Sequence, residues 1–137
     1  MRRISGPLLD RLDLRVEMTR VRAPELLDGP PPESSATVAA RIAAARERSL
    51  SRNRGRLNAE LSGPELTERC RLTGTAREHL LLLAEARGMT ARGVHRIMRV
   101  ARSIADADGA EDVDEAAVLA AADLRDPAAR AEPGLAA

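Results

Sequence analysis

Between Thr90 and Gly109, apolar side chains recur at Val94, Ile97, Met98, Ala101, Ile104 and Ala105. That i, i+3, i+4, i+7 spacing predicts an amphipathic helix, with Thr90 as its N-cap and Gly109 as its stop. Arg92, Arg96, Arg99 and Ser103 fall on the opposite side. The same logic predicts a helix from Ser34 or Ser35 to about Ser51, with Val38, Ile42 and Ala45 on one face. Ser62 and Pro64 open a short helix through Cys70, and Thr75 starts another that Gly88 closes. Val113 and Asp114 staple and cap a last helix, "EAAVLAAADLR", before Pro127. The tail from 127 to 137 is expected to fray.

The start of the chain has a different period. In "LLDRLDLRVEM", a turn at Leu8–Arg11 runs into Leu14, Val16 and Met18 alternating with Arg15 and Glu17, which predicts a strand. Nothing later in the chain offers that strand a partner, and an unpaired strand leaves its backbone groups unsatisfied. "APELLDGPPPESS" follows, and its three prolines predict a linker without helix or strand. The fold class expected is therefore all-α: a bundle of four or five helices at 34–126, preceded by an isolated turn and strand at 1–23 and a linker at 24–33. The apolar stripes are complete within about Ser34 to Leu124, so that span is expected to fold without the N-terminal segment.

Composition narrows the chemistry. Phe, Tyr and Trp are absent, so the core must be aliphatic, and its Ala content favours helix. All 22 basic residues are Arg. Without Lys, neither a phosphate-binding GxxxxGK[ST] loop nor a Schiff base can be built from these residues. The single Cys70 forms no intramolecular disulfide, which suits a reducing cytoplasm. His79, His95 and Cys70 lack the spacing of metal ligands, so no metal site is expected.

The net charge of +1 hides an uneven distribution. Six arginines and one acid lie between Arg41 and Arg56, and Arg41, Arg48, Arg52, Arg54 and Arg56 are candidate DNA contacts. Against that, no aromatic residue is present to stack a base, and a solvated helix face fits the same pattern. By spacing alone, Arg11 is a surface arginine beside Asp10 and Asp13, and Arg92 belongs to a solvated arginine stripe.

"ISGPLLDRLDLRVEM", "ESSATVAARIAAARERS", "NAEL", "CRLTGTAREHLLLLAEARGMTARGVHRIMRVARSIADADG" and "VDEAAVLAA" resemble, in order and spacing, the magnesium-chelatase-like AAA+ ATPases, and within them the ComM and YifB subgroup. The likeness runs from Ile4 to about Leu124. It implies the end of an α/β ATPase core followed by the whole helical lid, with the Walker A and Walker B segments upstream of Met1. The predicted strand would then be the last of a core sheet. The resemblance implies that Arg11 is an arginine finger acting in trans on a neighbour's ATP, and that Arg92 is the sensor-2 arginine of its own subunit. It further implies ATP and Mg²⁺ in a longer parent, a ring oligomer (a hexamer) and DNA remodelling. The region alone would hydrolyse no ATP. A stand-alone helical DNA-binding or adaptor module is the alternative that the arginine surfaces allow.

Overall fold

In a computed structural model, residues 11–18 and 20–125 are described, Glu25 and Leu26 by their backbone alone. The predicted turn at Leu8–Asp10 and the tail at 127–137 lie outside them. The helices are α1 (Ala23–Asp28), α2 (Ser35–Arg52), α3 (Gly63–Cys70), α4 (Gly74–Ala86), α5 (Ala91–Asp108) and α6 (Glu115–Arg125), with a 3₁₀ turn at Asn58–Glu60. The class is all-α, and α2–α6 form the expected bundle. No described helix is long and apolar enough to cross a membrane.

Side-chain caps set most boundaries. The Ser34 and Thr90 hydroxyls accept from the Thr37 and Gly93 amides at 3.1 and 3.2 Å, and Asp114 Oδ1 accepts from Ala117 N at 2.9 Å. Each satisfies a donor that a helix start would otherwise leave orphaned. Helix α4 starts earlier than predicted because Thr73, not Thr75, caps it by accepting from Ala76 N. Gly109 closes α5 at φ +75°, a left-handed conformation that glycine adopts without strain.

Helix α5 is the central element. It packs on α2, α3, the 3₁₀ turn and α6, while α4 covers the other side of α6. Its stripe behaves as predicted: Ile97, Met98, Ala101 and Ala105 are buried, with Val94 and Ile104 packed at the margin. Ala101 and Ala105 of α5, and Ala117, Ala121 and Ala122 of α6, are all core residues. Small side chains let the two helix axes approach closely. Cys70 is buried among them, donates to Met98 O at 3.4 Å, and is pushed up by burial to a pKa of about 11.

Three expectations need correction. First, 14–18 form no strand: the segment has no ladder partner among the described residues, so its alternation has nothing to pair with. It lies as a strap along the bundle: Asp13 pairs with Arg96 at 3.1 Å, and Arg15 N–H donates to Leu124 O at 2.7 Å. Second, "APELLD" is helical, since Pro24 sits in the first turn, where a missing N–H costs nothing. Third, the predicted apolar face of α2 is not what holds it. Ile42 is 56% exposed, whereas Ser49 and Asn53 are buried, so α2 is attached through polar side chains.

Among the described residues, every buried apolar side chain lies between Leu61 and Ala122. The strap's contacts with the bundle include one backbone hydrogen bond and an ion pair whose Asp13 side chain is 60% exposed. Deleting residues 1–28 is accordingly expected to lower stability by about 2 kcal/mol or less. Thermal unfolding followed by circular dichroism measures this, and loss of the cooperative transition would contradict it.

Candidate functional site

The first turn of α5 meets three arginines from three different elements. Arg15 of the strap, Arg87 of the α4–α5 turn and Arg125 at the end of α6 line a cavity of about 260 Å³ with Gly88, Met89, Thr90 and Gly93. No carboxylate is among these lining residues. A Cβ at Gly93 would lie 3.9 Å from Arg125 Nη2, an ordinary van der Waals contact. Arg92 is the neighbour of Gly93 and is exposed in the same first turn. Arg92 does not itself line the cavity but adjoins it in sequence, beside a surface where a helix start and several guanidiniums converge, an arrangement suited to phosphate oxygens.

Arg11 is exposed at the start of the described strap. Of the two ion-pair partners that spacing offered it, Asp13 engages Arg96 instead, and Asp10 lies outside the described residues. Arg96 and Arg99 do not form a solvated stripe with Arg92. The Arg96 side chain is only 11% exposed, and Arg99 Nε donates to Leu61 O at 2.8 Å. Of the three arginines in that predicted stripe, Arg92 alone is exposed.

The cluster at 41–56 is divided in the same way. Arg41 pairs with Glu33 at 2.7 Å, and Arg56 pairs with Glu65. Arg48 Nη1 donates to Asp106 O at 2.8 Å, capping the end of α5. Arg52 makes a two-pronged contact to Asp106, Nη1 to Oδ1 and Nη2 to Oδ2, both at 2.6 Å. Arg54 is exposed, at φ +55° in the turn after α2. Four of the five candidate DNA contacts thus have partners inside the chain, although Arg41, Arg48 and Arg54 are all exposed residues.

The strongest polar feature escaped the sequence reading. Arg102 and Asp106, one turn apart on α5, form a 3.0 Å ion pair with side chains 0% and 2% exposed. Around Asp106 gather Arg52 and Asn58, whose Nδ2 donates to Oδ2 at 2.8 Å. Asn58 Oδ1 in turn accepts from Ser49 Oγ, Arg52 and Asn53. Arg102 also donates to Ala110 O and Glu111 O at 2.7 Å, fixing the loop between α5 and α6. Burial pushes the Asp106 carboxyl up, but hydrogen bonds from Arg52 and Asn58 and the charges of Arg102 and Arg52 more than offset it, so its pKa lies below the ordinary 3.8. The signal was present: two charges of opposite sign at i and i+4, set directly beside Ala101 and Ala105 of the apolar stripe.

Comparison with known proteins agrees with this architecture. Residues 32–125 match the family "Magnesium chelatase, subunit ChlI C-terminal". An uncharacterized protein of Mycobacterium tuberculosis is 42% identical over 135 residues, covering 93% of this chain and 26% of its own length. The uncharacterized protein YifB of Escherichia coli is 41% identical over 110 residues, 79% of this chain and 21% of its own. Competence protein ComM of Haemophilus influenzae is 33% identical over 114 residues, 82% and 22%. The chain spans about a quarter of the length of the curated relatives it matches. It belongs to the magnesium chelatase ChlI C-terminal family, in the magnesium-chelatase-like group of YifB and ComM.

Proposed function

We propose that this chain is the helical lid of a ring-forming AAA+ ATPase that remodels DNA. Arg92 senses ATP bound in its own subunit, and Arg11 acts as the arginine finger on the ATP of the neighbour. The observation that carries the proposal is the position of Arg92: exposed in the first turn of α5, next to a cavity lined by arginines and free of carboxylates. Helix starts and guanidiniums favour phosphate, and a sensor must reach phosphate without being tied down by its own fold.

The residue set fits the phosphates but not the metal. Mg²⁺ takes oxygen ligands, commonly carboxylates, and the cavity presents none. Its ligands therefore belong to the ATPase core of a longer, cytoplasmic parent, together with the lysine that this chain lacks. DNA as the substrate rests on the likeness to ComM, a competence protein. The stand-alone DNA-binding alternative is less well supported, because most arginines of the 41–56 cluster serve the fold.

In a full-length protein carrying this region, Arg92→Ala should weaken ATP binding or uncouple it from hydrolysis, with the fold intact. Titration with a fluorescent ATP analogue, alongside steady-state hydrolysis, reads both. Unchanged affinity and unchanged turnover would refute the sensor role.

A further inference from the structure

Two hollows on the outer side of α5 run into one another. One, of about 310 Å³, lies between α2 and α5, where Ile42, Ala45, Arg46 and Leu57 line it. The other, of about 340 Å³, is lined by Leu14 of the strap, Leu124 of α6, and Arg96, Arg99, Val100 and Ile104 of α5. Ala59, Ser103 and Ala107 line both, so the two make one groove over small side chains. Arg96, Val100, Ser103 and Ala107 recur at i, i+4, i+7 and i+11, so the groove follows α5 for three turns, roughly 17 Å. A small-residue floor admits a guest backbone closely. The walls are wetted: Ile42 is 56% and Leu14 51% exposed, and covering them is favourable.

The border of the groove is basic. Of its carboxylates, Asp13 is engaged by Arg96, and Asp106 is buried under Arg52, Arg102 and Asn58. Arg46 is exposed and has no acid partner among the described residues. An apolar centre with a basic border suits an apolar side chain flanked by carboxylates. This chain carries such a segment. Helix α1 reads APELLD, with two acids and no base, and its Leu27 is 83% exposed. None of residues 23–28 lines the groove of its own chain. Residues 29–34, which join α1 to α2, include three consecutive prolines, and such a connector is stiff and holds the two apart.

We propose that the groove is a self-association surface that takes α1 of a second copy of this chain. Leu27 of one copy seats over Ala59, Ser103 and Ala107 of the other, and the carboxylates of α1 lie on the arginine border. Knob and groove are different patches, so the contact is heterologous and each copy can give one and receive one. It joins helical body to helical body and requires no nucleotide.

Sedimentation equilibrium of the 137-residue chain, at concentrations up to about 1 mM because an interface this small is weak, is the test. The mean mass should rise with concentration. Leu27→Glu and Ile42→Glu replace side chains that are mostly exposed, so both variants should keep the wild-type circular dichroism and stay monomeric. Arg46→Glu should weaken association about tenfold or more, and gives a second groove variant if Ile42→Glu folds poorly. An equal mixture of Leu27→Glu and Ile42→Glu holds one intact groove and one intact α1, and should form one-to-one pairs and nothing larger. A wild-type chain that is monomeric throughout would overturn the proposal. So would association that survives either the α1 or the groove substitution, which would mean another face or another segment is used, or a mixture that stays monomeric. The Arg92 and Arg11 variants of the full-length protein decide the nucleotide reading separately.

Discussion

Asp106→Ala is expected to destabilise the fold by about 3–5 kcal/mol, the usual cost of stranding a buried charge. The loss leaves Arg102, with no exposed side-chain surface, facing Arg52 across an empty site, and removes an acceptor from Asn58. Domains of this size have roughly 5–15 kcal/mol in total. A large share of the chain should therefore be unfolded at moderate denaturant, and α2 should be the first helix to detach. Arg41→Ala is the control: that ion pair has both side chains about half exposed, and such pairs contribute about 0–1 kcal/mol. Urea unfolding of both variants tests the contrast, and equal midpoints would contradict it.

The same carboxylate sets an acid limit. Its folded pKa is depressed, so its stabilisation is fully present above the ordinary value of 3.8 and is lost as pH falls below that value through the lower folded one. Stability of the wild-type chain should drop steeply in that window. Asp106→Asn should start lower and show a shallower acid dependence.

These residues also show what the sequence could and could not reveal. Periodicity and caps located α5 and α6 almost to the residue, because Thr90, Gly109 and Asp114 act locally. Attachment of α2 was misread: hydrophobic patterning looks for an apolar face, and this helix is held by Ser49, Arg52 and Asn53. Alternation at 14–18 was real, but a strand also needs a neighbour, and pattern alone supplies none. Of the proposed site, Arg92 and Arg11 were marked out in the sequence through the motifs of the resemblance. The cavity was not, because Arg15, Arg87 and Arg125 are 72 and 38 residues apart in turn, and only the packing of strap, turn and α6 brings them together.

Arg11→Ala should have the largest effect on activity. An arginine finger stabilises charge that develops on the transferring phosphoryl group, and its loss costs about 10³–10⁵ in rate. Since the finger acts on the transition state, ATP affinity should change little. Asp13 engages Arg96, and Arg11 is exposed, as a residue acting on a neighbouring subunit must be. An Arg11 that merely decorated a surface turn would leave hydrolysis within a factor of two.

The most direct test mixes two inactive full-length proteins, one carrying Arg11→Ala and the other a disabled P-loop lysine. Mixed rings contain interfaces that join an intact P-loop to an intact Arg11, so hydrolysis should recover in proportion to such interfaces. Rings shown to contain both subunits and yet fully inactive would contradict action in trans, and with it the assignment of this region to a nucleotide-driven ring.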